Sequence, residues 1–298
     1  MTKILIPSET SSGERRVSAT PEAVKKLKSL GCDVYIESSA GKLSGFSDLS
    51  YEESGGTIIK NLDKKIWGEA DLIFCVQTPS EDNLTKLKKG AVLLGLLNPY
   101  GNKELLRIIN STKISALSLE LLPRISRAQS SDVLSSQANI AGYKAVLLAA
   151  SELDRYFPML MTAAGTVQPA KVVVLGGGVA GLQAVATAKR LGAIVFVSDI
   201  RPAVKEQVES LGARFIELPE VEEKPGEAGG YAKAVTPEFL SKQKATLTKY
   251  LSEADVAICT AQVLGKKAPV LIDAPMIEKM RPGAVIIDLA VSQGGNCA

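Results

Sequence analysis

The chain has 298 residues, with 35 Lys and Arg against 32 Asp and Glu for a formal net charge of +3. Its composition, 46% apolar and 22% charged, is that of an ordinary globular protein long enough for two domains. So small a charge leaves nucleic-acid binding without an electrostatic footprint. The absence of any histidine excludes Ser-His-Asp and Cys-His nucleophilic catalysis and His-based zinc sites.

Read in chain order, short β-rich runs alternate with helical stretches, the pattern of βα units on a parallel sheet. In the first half, strands are predicted near residues 3–6, 33–37, 71–76, 91–96 and 114–119. Thr20-Pro21 opens a helix at its N-cap and first helical position, and Gly31 closes it. From Ser135 to Tyr156, apolar residues recur at helical spacing and only Gly142 interrupts, so a long helix is expected to carry the chain between domains. In the second half, strands are predicted near residues 171–175, 193–198, 214–217, 255–259 and 284–289. The expected fold is α/β, with two Rossmann-like, doubly wound parallel-sheet domains joined by that helix: residues 1–135 and 136–298.

A weak internal echo supports two similar domains. Glu69-Ala70-Asp71 leads into a strand ending near Cys75, and Glu253-Ala254-Asp255 does the same near Cys259. Gly90-Ala91-Val92 and Gly283-Ala284-Val285 then open the next strand in each half. The four cysteines, Cys32, Cys75, Cys259 and Cys297, include no C-x-x-C pair and read as free thiols of a reducing compartment. No run reaches the roughly 18 apolar residues of a membrane helix. The chain opens directly into a strand at Lys3, so a soluble polypeptide without a leader is expected.

Lys171-Val-Val-Val-Leu175 runs into Gly176-Gly-Gly178-Val-Ala-Gly181, and a helix follows. A strand, a G-x-G-x-x-G turn and a helix in that order form the dinucleotide-binding fingerprint. Gly176 permits the tight turn, Gly178 lets backbone approach a pyrophosphate, and Gly181 allows close helix–strand packing. Gly177 and Val179 complete the turn, whose helix N-terminus offers unpaired N–H groups to phosphates. Asp199, ending the next strand, suits the adenosine ribose hydroxyls and repels a 2′-phosphate, favouring NAD(H) over NADP(H). Arg201 tempers this, because arginine can accommodate a 2′-phosphate.

Two polar segments stand apart from the core pattern. Arg124, Arg127, Gln129, Asp132 and Ser135 crowd the stretch before the long helix, either as a functional donor and acceptor set or as a solvated loop with a helix cap. Residues 219–233, rich in Pro, Gly and charge and carrying Tyr231, read as a lid or as a surface linker.

Pro123–Asp132, Met161–Thr166, the glycine run, Gly229-Gly-Tyr-Ala-Lys233, and Ile286–Ala290 with Gly294–Cys297 together resemble one family. It is the NAD(H)-binding domain I of proton-translocating NAD(P)+ transhydrogenase, related to alanine dehydrogenase. The resemblance covers essentially the whole chain. It implies that Arg124, Gln129, Asp132 and Ser135 form the loop contacting the nicotinamide end of NAD(H), with Tyr231 on a closing flap beside Gly230. Asp199, next to Ile200 and Arg201, would hold the adenosine ribose; Gly177, Gly178 and Val179 would lie near the pyrophosphate, and Gln262 would line the site. It further implies a homodimer on the cytoplasmic or matrix face of a membrane domain, passing hydride to NADP(H) on a partner domain. Family members typically continue past the position of Ala298.

Alanine dehydrogenases use a lysine in a Lys-Val-Lys-Glu-Pro-like segment and a histidine beyond it. Here the stretch reads Cys75-Val-Gln-Thr-Pro79 and histidine is absent. Hydride transfer between two nicotinamide rings needs no general acid or base, whereas amine oxidation does. The sequence therefore favours transhydrogenation over two alternatives, an amino-acid dehydrogenase and a non-catalytic NAD(H)-binding module. In the dehydrogenase alternative, Glu14, Arg15 and Arg16 would hold a substrate carboxylate; otherwise they form an ion-pair cluster.

Overall fold

A computed structural model describes residues 1–123, 125–218, 237–263 and 265–298. The chain forms two compact units, Met1–Leu134 and Ser135–Ala298. All element counts below refer to the described residues.

The first unit carries β1 (Lys3–Ile6), β2 (Asp33–Glu37), β3 (Thr57–Ile59), β4 (Leu72–Gln77), β5 (Val92–Leu96) and β6 (Ser115–Ser118). They pair in parallel in the order β3-β2-β1-β4-β5-β6. Its helices are α1 (Pro21–Ser29), α2 (Asp48–Glu53), α3 (Lys64–Glu69), α4 (Glu81–Leu84) and α5 (Lys103–Thr112). As the sequence predicts, Thr20 accepts the Ala23 N–H at the N-cap of α1 and Pro21 follows it. Gly31, at φ +82°, lies just past the helix end. Trp67 and Tyr51 are buried, the largest side chains in the packing between helices and sheet.

The long helix α6 (Val133–Glu152) follows. Next come a hairpin of β7 (Leu160–Thr162) and β8 (Gly165–Val167), then β9 (Lys171–Leu175), α7 (Val179–Arg190), β10 (Ile194–Ser198), α8 (Val204–Ser210) and β11 (Arg214–Phe215). The chain ends with α9 (Pro237–Ser252), β12 (Val256–Cys259), α10 (Ala274–Ile277) and β13 (Val285–Asp288). The second sheet is parallel in the order β11-β10-β9-β12-β13. Val172 to Leu175 are all buried, as the central strand of a sheet covered on both faces requires. Glycine decides how α6 meets α7: a Cβ on Gly142 would sit 2.1 Å from the Ala180 carbonyl oxygen, so only a bare backbone fits.

The doubly wound parallel fold is as expected. Two elements were not foreseen. Strand β3 is three residues long, too short to show alternation, and the β7–β8 hairpin exposes nearly every residue, so no buried face marks it in the sequence.

The echoed tripeptides prove to be matching clamps at the N-terminal edges of the two sheets. In the first, Asp71 accepts the Lys3 N–H at 2.7 Å, Lys88 pairs with Asp71, and Lys3 Nζ pairs with Glu69. In the second, Asp255 accepts the Lys171 N–H at 2.7 Å, Arg155 and Arg281 pair with Asp255, and Lys171 Nζ pairs with Glu253. In each, one carboxylate satisfies the first N–H of the central strand, a donor that the neighbouring strand does not reach.

Candidate functional site

The second sheet reverses direction of winding between β9 and β12, the place where open α/β sheets leave a crevice for ligands. The glycine turn lies at that point. Gly176 adopts φ +104°, and a Cβ there would meet Thr260 Oγ1 at 2.7 Å. Thr260 Oγ1 donates to the Gly176 carbonyl at 2.8 Å, so the strand-end β12 hydroxyl holds the turn down. A Cβ on Gly181 would come within 1.9 Å of the Gly176 oxygen, which makes α7 and the turn inseparable from glycine at that position. Gly177 is closed in by Val204 at 2.3 Å, whereas a Cβ on Gly178 would meet nothing within 4 Å.

Gly178 is thus the open face of the turn. It is also the N-cap of α7 and supplies no side-chain cap. The first-turn N–H groups therefore lack side-chain acceptors, and the positive end of the helix dipole adds to their pull on an anion. Exposed apolar side chains, Val179 and Ile200, flank the turn and the Asp199 corner. An uncapped N-terminus opening through a glycine with free space fits the pyrophosphate of a dinucleotide; the chain's own residues provide the cradle.

Asp199 follows β10 and is buried beneath Arg201. Its Oδ2 accepts the Gly177 N–H at 2.7 Å, and its Oδ1 accepts the Arg201 N–H at 2.8 Å. The Arg201 guanidinium adds bonds of 2.9 and 2.8 Å to the two oxygens. Burial pushes the carboxyl pKa up, but these donors together outweigh it and hold Asp199 below its ordinary value.

A loop follows β12 at the same end of the sheet, where Thr260 bonds the Gly176 carbonyl. Gln262, exposed, donates to the Leu289 carbonyl at 2.5 Å. Asn296, fully buried, accepts the Ala261 N–H and donates to the Ala261 and Pro269 carbonyls. Asp288 in turn accepts the N–H groups of Asn296, Cys297 and Ala290. Thr260, Asp288 and Asn296 were not singled out from the sequence. The last two lie within the stretches that carry the resemblance, but a buried asparagine bonding to backbone leaves no periodic trace. Burial raises the Cys259 thiol pKa well above its usual value, as it does for Cys75.

Of the remaining predicted site residues, Arg127 and Gln129 are exposed on a short 3-10 helix, Ser126–Ser131. Asp132 and Ser135 are half-buried; the Asp132 N–H donates to Gln129, and Ser135 lies in the first turn of α6. Arg124, Gly230 and Tyr231, with the segment 219–236 that contains the expected flap, lie outside the described residues. The structure brings Gly176, Gly177, Gly178, Val179, Gly181, Asp199 and Arg201 together around one turn.

The first unit has its own crevice at the β1–β4 reversal, about 130 Å³ and lined in part by Glu9, Glu37, Cys75, Gln77 and Asn83. Glu9 accepts the Val76 and Gln77 N–H groups at 2.5 and 3.0 Å. Arg16 is committed to Glu14 by bonds of 2.8 and 2.7 Å, and Gln77 donates to the same carboxylate. Arg16 thus stands in the ion-pair arrangement with Glu14, while Arg15 is exposed.

Residues 5–141 match the family described as alanine dehydrogenase/PNT, N-terminal domain, and residues 145–298 match alanine dehydrogenase/PNT, C-terminal domain. The chain belongs to the alanine dehydrogenase/PNT family. Both transhydrogenases and alanine dehydrogenases are among its relatives. The chain is 50% identical over 301 residues to the first portion of NAD(P) transhydrogenase subunit alpha from Rhodospirillum rubrum, covering 99% of this chain and 78% of that protein. The crystal structure of transhydrogenase from Sinorhizobium meliloti matches with a TM-score of 0.88 at 45% identity, over 99% of this chain and 80% of that one. A structure of L-alanine dehydrogenase matches with a TM-score of 0.81 at 28% identity, over 100% and 76%. The backbone is thus common to both branches of the family, and sequence identity separates them.

Proposed function

We propose that this chain is the NAD(H)-binding component of a proton-translocating transhydrogenase, exchanging hydride with NADP(H) held by a partner domain. The observation that carries this reading is the uncapped glycine turn at Gly178 beside a buried carboxylate at Asp199, in a chain without histidine. Bound NAD(H) supplies the carbon that gives or takes hydride. The chain's role is to hold and orient: Gly176 to Gly181 cradle the pyrophosphate, and Asp199 takes the adenosine ribose. Arg124, Gln129, Asp132 and Ser135 fix the nicotinamide end, and Tyr231 closes over it. Transfer from ring carbon to ring carbon moves no proton on oxygen or nitrogen, so positioning suffices and no residue is needed as acid or base.

No helix among the described residues is long and apolar enough to cross a membrane. Proton movement is accordingly assigned to a membrane partner, with this chain peripheral on its inner face and paired as a homodimer. The exposed β7–β8 hairpin and the exposed Ile140, Tyr143 and Leu148 of α6 supply apolar surface for such assembly.

Mixing the chain with an NADP(H)-binding domain tests the reading: NADPH should reduce an NAD analogue only when both are present. Replacing Gln129 or Asp132 should slow that transfer far more than it weakens NADH binding. Robust NADH formation from L-alanine and NAD, or tighter binding of NADPH than NADH, would overturn it.

A further inference from the structure

The sequence leaves Arg201 ambiguous, since an arginine at this corner can serve a 2′-phosphate. The geometry points to another role. A carboxylate offers about four lone-pair positions. Asp199 fills them all: Oδ1 accepts Arg201 N and Nε, and Oδ2 accepts Gly177 N and Arg201 Nη2. Two of these donors are main-chain groups, one in the glycine turn and one on the corner after β10, and cannot leave without rearranging the backbone. The other two belong to the guanidinium, which lies on the solvent side, 58% exposed over a carboxylate only 6% exposed.

A ribose diol also presents two donors. To bond Asp199 from solvent, it must take the positions the guanidinium now holds. We propose that Arg201 sets the dinucleotide specificity by pairing with Asp199: it stands in for the ribose diol, and the pairing denies its charge to a 2′-phosphate. The inference rests on the reading of this turn as an NAD(H) site. It goes further in making the Asp199–Arg201 pair a single selector whose halves act with opposite sign. Removing the arginine deletes a competitor for Asp199 and sharpens preference for the unphosphorylated ribose. Removing the carboxylate charge frees an arginine whose planar fork suits phosphate oxygens.

Calorimetric titration of NADH and NADPH into the full chain and three variants tests this. For Arg201→Ala, NADH should bind about threefold tighter and the preference over NADPH should widen. For Asp199→Asn, which keeps an acceptor for the Gly177 N–H, NADPH should bind about tenfold tighter than to the unaltered chain, while NADH weakens. The double variant Asp199→Asn, Arg201→Ala should lose the NADPH gain. Asp199→Ser serves in place of the asparagine variant if a thermal melt shows that one unfolded. The proposal is overturned if the single Asp199 variant gains no NADPH affinity, if the double variant keeps the gain, or if Arg201→Ala weakens NADH binding. When the unaltered chain binds NADH, those outcomes sink this inference alone; a chain that binds neither dinucleotide sinks the NAD(H) reading with it.

Discussion

The two crevices are built on one plan and finished in opposite ways. Both sheets share the order 3-2-1-4-5 in their own strands, and both clamp the first residue of the central strand with an Asp, a Glu and basic partners. Both also end the second strand near a carboxylate that takes a loop N–H: Glu37 from Ser8, and Asp199 from Gly177. The difference lies in the connection that follows the central strand. In the second unit three glycines lead straight into α7, leaving its N-terminus uncapped. In the first, residues 7–20 intervene, α1 is capped by Thr20, and the Glu9 carboxylate occupies the backbone N–H groups of Val76 and Gln77. A parallel sheet therefore supplies a place for an anion but not a site; the loop decides whether outside chemistry or an internal carboxylate fills it.

The sharpest way to break this comparison is at Gly181. Valine there meets the Gly176 carbonyl, and the turn cannot relax without leaving the strand end. Unfolding stability should fall by about 4 kcal/mol or more, with NADH binding lost, as read by urea denaturation and calorimetry. The clamps come next. Asp255→Ala leaves a buried strand N–H unmatched beneath two arginines and should cost about 3 kcal/mol. Asp71→Ala, at a more exposed carboxylate, should cost about 1 kcal/mol. Equal losses in the two variants would dissolve the distinction between a buried clamp and an exposed one.

The smallest effects are those of pH in the first crevice, and there the two carboxylates oppose each other. The Arg16 guanidinium, with backbone and Gln77 donors, holds the Glu14 carboxyl down to about 2. Its stabilisation is complete above the ordinary carboxylate range and is lost as pH falls from about 4.5 towards 2. Burial raises the Glu9 carboxyl, so its ionised form is costly at neutral pH and acidification relieves that cost. Denaturant midpoints of Glu14→Gln should show a flatter acid limb, and those of Glu9→Gln a steeper one. Limbs that shift in the same sense would show that the crevice titrates as one group.

Much of this molecule is legible in the order of its residues. The buried run Lys171–Leu175, the glycine turn and the acidic end of β10 are local features, each set by neighbours within one βα unit. The strand positions Lys3–Ile6 and Asp33–Glu37 follow from the same short-range logic. What escaped was either too short to carry a period, as with Thr57–Ile59, or joined across sequence distance, as with Asn296 gripping Ala261 and Thr260 gripping Gly176.

Sequence by itself determined the alternation of strand and helix, the place of the phosphate-binding turn and the exclusion of histidine chemistry, because each depends on residue type and spacing along the chain. Tertiary structure decided which charges meet. Asp255 meets Arg155 and Arg281 across 100 and 26 residues, and Asp71 meets Lys88 across 17, because the fold carries these distant side chains to one strand end, and no spacing along the chain announces such pairs.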